Sequence, residues 1–238
     1  MDQTQKVSAR RTELPMARSM CWHCQSEAHG EYFCDRCVKV QPLSKDMDYF
    51  TCLGFPRLLN LETNALEAKF YEMSRLFHPD FYQGKDEAEQ AISLSNAAIL
   101  NTAYRILKDP IRRAEYLVQL EAGSVKDIRN QPPADLFEEI LSLQEDLEEF
   151  RSASNRRDPG AIASLLAKLG KDRESLERRQ QDMEARLTRL FEVWDRLQTD
   201  QVTNRQADKE AVLKDMREIL SNRTYVRNIV DDLVATTG

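Results

Sequence analysis

The chain has 238 residues, 31% charged and 41% hydrophobic, and its 40 acidic against 34 basic side chains leave a net charge of −6. That balance argues against nonspecific nucleic-acid binding as the main task, and no apolar run approaches the ~20 residues that a membrane-spanning helix needs. With seven glycines and eight prolines there is little material for tight β-turns, so an all-α protein of one or two domains is expected.

Residues 1–20 are expected to be disordered. They lack the apolar core of a secretory signal, which implies a reducing, cytoplasmic setting; Lys6, Arg10, Arg11 and Arg18 keep the mitochondrial matrix as the alternative. Residues 21–40 carry Cys21-Trp22-His23-Cys24 and Cys34-Asp35-Arg36-Cys37, two knuckles with the spacing of a tetrahedral thiolate site. Four cysteines leave no open position for water, so a structural zinc ion is expected, stapling a segment too small to build a core. Disulfides and an iron–sulfur cluster are the competing readings, and His23 or His29 could replace a thiolate. Trp22, Tyr32 and Phe33 exceed what so small a piece can bury, which suggests a second docking surface there. The fifth cysteine, Cys52, reads as a small buried hydrophobe.

After a polar link, Gln41 to Asp46, helical patterning begins. A short helix over 47–54 turns Tyr49, Phe50 and Leu53 inward, and a second one opens at Thr63 as a cap, with Leu66, Phe70, Met73 and Phe77 at helical spacing. His78-Pro79-Asp80 stops it, because proline lacks an amide donor and disfavours helical geometry at the residue before it. A polar loop to Lys85 follows, then a helix over 86–108 whose Leu94, Ala97, Ala98, Asn101 and Tyr104 are expected to pack on the second helix. The pattern continues past an Asp109-Pro110 kink to Leu120, and Gly123 with Pro132-Pro133 marks a connection. Three long amphipathic helices come next. The first, 134–152, has more apolar positions than one face needs, and its other residues are strongly acidic. Asp158-Pro159 caps the second, which runs to about Thr199, and the third covers about 206–235. Together they read as an antiparallel bundle over 134–238.

The blocks Asp48-Tyr49-Phe50, Leu66 to Asp80, Asn101 to Pro110 and Arg112 to Leu117 resemble a J-domain, here 47–122, in both content and order. With the tetracysteine knuckle before it and Leu143-Gln144-Glu145-Asp146-Leu147-Glu148-Glu149 after it, residues 21–235 resemble the HscB family of iron–sulfur cluster assembly. The resemblance implies a co-chaperone and not an enzyme. Its partners would be a DnaK/HscA-type ATPase chaperone, docked by His78, Pro79 and Asp80 with basic Lys69 and Arg75, and an IscU-type scaffold. The scaffold patch falls on Phe137, Glu138 and Leu141, with Glu138 standing where the family usually shows an apolar residue. A last-helix aromatic of the family falls near Glu218 or Ile219, neither of which is aromatic. Three readings compete: a J-domain serving another client, a redox protein using its cysteines, and a zinc-knuckle adaptor with Trp22, Arg36 and Lys39 as its nucleic-acid surface.

Overall fold

The computed structural model describes residues 19–28, 32–44, 46–122, 136–199 and 206–237. The disorder expected for residues 1–18 and the connection at Gly123 and Pro132-Pro133 lie outside them. The described residues form α1 (Tyr49–Cys52), α2 (Thr63–Phe77), a 3-10 turn (Pro79–Tyr82), α3 (Glu87–Lys108), α4 (Pro110–Ala122), α5 (Phe137–Arg156), α6 (Pro159–Thr199) and α7 (Gln206–Thr237). The all-α expectation holds. The only strands among them are two-residue pieces, β1 (Ser19–Met20) and β2 (Glu27–Ala28), paired antiparallel around the first knuckle. Ser19 and Met20 therefore leave the tail to which the sequence assigned them.

Helix boundaries follow local chemistry. Asp109 and Asp158 each accept two backbone N–H bonds, at 2.9 to 3.1 Å, from the turn that a following proline opens. At Asp109 the result is a break between α3 and α4 rather than a kink in one helix. Thr63 is the first helical residue of α2 rather than its cap, since the carbonyl of Glu62 already accepts the Leu66 N–H at 3.0 Å.

The described residues divide into two compact units, those within 19–47 and 70–102, and those within 48–69 and 103–237. In the larger unit α6 packs against α5 and α7, and α4 against α7. Its core holds Phe50, Leu107, Leu117, Leu187, Met216 and Trp194, all fully buried. The indole N–H of Trp194 donates to the Arg57 carbonyl at 3.0 Å. Next to it, Asp195 accepts from the backbone N–H groups of Leu59 (2.6 Å) and Asn60 (2.8 Å) and from the Asn60 side chain (2.9 Å). Gly54 turns the chain after α1 at φ +72°, a conformation that side chains resist. Tyr49 stacks on Tyr116 at 4.5 Å between ring centroids, and Cys52 is buried, its thiol pushed up to about 11.

The smaller unit joins the cysteine segment to the C-terminal half of α2, the turn after it and most of α3. Here three of the five residues expected to pack α3 on α2 lie on its outer side. Leu94 is 62% exposed and Ala98 and Asn101 are exposed, while Ser93, Asn96 and Leu100 are buried. The polar pair can be buried because it is satisfied: Ser93 donates to the Phe77 carbonyl at 2.9 Å, and Asn96 accepts from Leu43 N–H and donates to the Gln41 carbonyl, both at 2.9 Å.

Candidate functional site

The cysteine segment folds as two matching turns. Cys21 N–H donates to the Ser26 carbonyl and Cys34 N–H to the Lys39 carbonyl, while Gln25 and Val38 N–H groups return to the carbonyls of Cys21 and Cys34. Both Gln25 and Val38 sit at φ 59°, one residue past the second cysteine of each pair. The four sulfurs lie within 4.8 Å of one another. Cys21 and Cys37 sulfurs are 3.6 Å apart and those of Cys24 and Cys34 3.7 Å. A tetrahedral metal–thiolate centre with bonds of about 2.3 Å has sulfur–sulfur edges of about 3.8 Å, so the spacing fits one.

The donor chemistry fits as well. The Ser26 hydroxyl, with help from the Cys37 backbone, draws the Cys34 thiol down to about 6, and Ser26 also lowers Cys24. At Cys37 the Lys39 backbone favours the thiolate, but burial and the neighbouring sulfurs outweigh it and push that thiol up to about 12. Four thiolates so close together need a cation among them. No cysteine is in a disulfide, and exposed His23, edge-on to Trp22, is outside the sulfur cluster.

A β-branched residue in the left-handed region is strained, and Val38 is 74% exposed, so its side chain supplies little packing in return. Val38→Gly is expected to stabilise the knuckle by about 1 kcal/mol, read as a higher unfolding midpoint in chelator-free buffer; an unchanged or lower midpoint would mean the isopropyl group makes up for the strain.

The second feature is the turn at His78-Pro79-Asp80. His78 closes α2 in extended geometry, and its Nδ1 accepts from the Asp80 N–H at 3.3 Å. The Asp80 carboxylate, 71% exposed, lies 3.6 Å from the same ring nitrogen. Below it Tyr82 is buried and donates to the Leu76 carbonyl at 2.9 Å, tying the turn to the last coil of α2. Beside the turn lies a groove of about 720 Å³, lined by Phe70, Tyr71 and Arg75 of α2, Phe81, and Leu94 and Ala97 of α3. Arg75 is therefore brought next to His78, Pro79 and Asp80. Lys69 is placed in the other unit, its Cε 3.8 Å from the position a Cβ on Gly54 would take.

On α5, Ile140, Leu143, Leu147 and Phe150 turn inward, whereas Phe137 and Leu141, one helical turn apart, are 53% and 45% exposed. Glu138 is exposed beside them. Asp146 departs from the acidic outer face: it is buried and pairs with Lys168 at 2.7 Å.

In Proteus mirabilis, the co-chaperone protein HscB is 33% identical over 126 residues, which cover 52% of this chain and 72% of that protein. The chain belongs to the HscB co-chaperone family. The mouse iron–sulfur cluster co-chaperone protein HscB is 27% identical over 137 residues, 56% of this chain and 58% of that protein. The crystal structure of the human co-chaperone protein HscB shares the fold, with a TM-score of 0.61 and 20% identity over 91% of this chain and 98% of that chain. No protein-family model matches.

One aromatic residue of α7 was not singled out from the sequence. Glu218 and Ile219 line a groove between α6 and α7 with Arg179 and Met183, away from α5. The groove between α5 and α7 is lined instead by Ile140, Gln144, Tyr225 and Ile229. Tyr225 is its aromatic, and the signal that could have found it is simple: it is the only aromatic residue between 206 and 237.

Proposed function

We propose that this HscB-family chain binds an IscU-type iron–sulfur scaffold through α5 and delivers it to a DnaK/HscA-type chaperone, whose ATP hydrolysis it stimulates through His78-Pro79-Asp80. The observation that carries the reading is the exposed Asp80 carboxylate on a turn held from beneath by Tyr82 and Ser93. A carboxylate so presented can take a charge-assisted, two-pronged bond from a partner arginine, and basic Arg75 beside it favours encounter with an acidic surface. Lys69 extends that basic character along α2. The knuckle holds a structural zinc ion through Cys21, Cys24, Cys34 and Cys37, in a reducing compartment where thiolates persist, the cytoplasm or the mitochondrial matrix. No described helix is long and apolar enough to cross a membrane.

Phe137 and Leu141 supply the apolar contact to the scaffold, with Tyr225 across the neighbouring groove and Glu138 asking for a basic rim. Carrying client and chaperone sites in one chain raises the local concentration of client at the ATPase. The Phe137→Ser, Leu141→Ser double variant is expected to weaken scaffold binding about tenfold or more in calorimetry while leaving scaffold-free ATPase stimulation unchanged. Unaltered scaffold affinity would remove this face from the proposal. Stimulation by the wild-type protein that ignores the scaffold altogether would favour a J-domain serving another client.

A further inference from the structure

Two of the three aromatics that exceed the needs of the cysteine segment, Tyr32 and Phe33, are spent on the stem of the turn. Phe33 stacks on Phe77, the residue before His78, at 6.4 Å between centroids and 16° between planes, and Tyr32 meets the same ring edge-on at 5.5 Å. Across the turn, the Lys39 ammonium bonds Asp86 at 2.8 Å and Glu89 at 2.5 Å in the first coil of α3. Asp86 caps that helix by accepting the Glu89 N–H at 2.9 Å, and Glu89 is 5% exposed. A third tie starts at the sulfurs: Gln41 donates to Cys21 Sγ at 3.4 Å, and its carbonyl accepts from buried Asn96 of α3, which also holds Leu43 N–H. All of these groups belong to one compact unit.

We propose that the tetracysteine knuckle is a brace for the His78-Pro79-Asp80 turn, with Phe33, Lys39 and Asn96 as positioning residues that clamp its two stems. Proline stops α2 but leaves the angle between α2 and α3 open, and a short polar turn with an exposed tip cannot set that angle alone. The knuckle grips the last residue of one helix and the first coil of the next, so the turn is presented to the chaperone in one geometry and pays less ordering entropy on docking. Removing one cation from the nearly buried Glu89 would loosen one stem without touching a cysteine. This inference rests on the J-domain reading of the turn.

The test uses the full chain, zinc-loaded, with zinc content measured for every variant. Lys39→Met is expected to keep its zinc and to raise by about fivefold the concentration giving half-maximal stimulation of a DnaK-type ATPase, with the maximal rate retained and Lys39→Arg restoring the wild-type value. Amides from Phe77 to Glu89 should exchange with solvent about tenfold faster in Lys39→Met, and in wild type stripped of zinc by a chelator, while α7 amides do not change. Unchanged exchange in that span, or acceleration spread equally over α7, would overturn the brace. The exchange arm needs no chaperone, so a wild-type protein that fails to stimulate any DnaK-type ATPase would sink the J-domain reading separately.

Discussion

Asp80→Asn is expected to reduce stimulation of the chaperone's ATPase to the basal rate while leaving the helical melt where it is. The carboxylate contributes little to the fold. It is 71% exposed, its one side-chain hydrogen bond is the 3.4 Å contact from Gln83, and the 3.6 Å approach of His78 becomes an ion pair only if the imidazole is protonated. A surface change of that kind shifts stability by about 0.5 kcal/mol or less. Its cost falls on the complex: truncating one partner of a charge pair desolvated on docking costs about 2–5 kcal/mol, which is at least about 30-fold in affinity. His78→Gln should act in the same direction through the turn, because the imidazole that receives the Asp80 N–H is lost. Steady-state hydrolysis with scaffold present, alongside a circular dichroism melt, checks both variants. Stimulation surviving in Asp80→Asn would remove the turn from the mechanism, and a collapsed melt would mean the carboxylate holds the fold after all.

Trp194→Ala should cause the largest loss of stability of any single substitution considered. The indole is fully buried and its N–H holds the Arg57 carbonyl, so the change opens a cavity and strands a backbone acceptor together. Large-to-small changes of an aromatic of this size cost about 3–5 kcal/mol, a large part of the ~5–15 kcal/mol that a folded protein has. A fall in melting temperature of about 10 °C or more is expected. Trp194→Phe keeps most of the burial and loses only the hydrogen bond, about 1 kcal/mol, and the difference between the two separates packing from the polar contact. Asp195→Ala, which frees the N–H groups of Leu59 and Asn60, should raise exchange in residues 57–60 specifically. A melt within 2 °C of wild type for Trp194→Ala, about 1 kcal/mol or less for a chain of this size, would show that α6 does not anchor this loop.

Local rules made several features legible before any coordinates. The stop at Pro79, the Asp158-Pro159 start of α6 and the four-cysteine spacing each depend on bonds within a few residues, and the helical periods of α5 to α7 depend only on the repeat of apolar side chains. The exposed apolar surface of α5 was half legible: an excess of apolar residues on α5 was visible, but which of them are surplus was not. Burial of Ile140 and Leu143 and exposure of Phe137 and Leu141 depend on where α6 and α7 run. On α3 the reading by polarity passed over Ser93 and Asn96, which are buried with their hydrogen bonds met by the chain at Phe77, Gln41 and Leu43, none of them a sequence neighbour.

What the sequence by itself determined is therefore the run of helices apart from the break at Asp109, the stop that exposes His78-Pro79-Asp80, and the four cysteines that could hold a metal ion, since each follows from backbone chemistry or from donor spacing along the chain. What only the tertiary structure decided is which groups meet: Trp194 and Asp195 on the loop at 57–60, Tyr225 in place of Glu218 or Ile219 beside α5, and the knuckle on the stems of the turn. Those pairings join residues from 44 (Phe33 to Phe77) to 137 (Arg57 to Trp194) positions apart. Their energies depend on burial and on satisfied polar groups, and neither exists until the chain has folded.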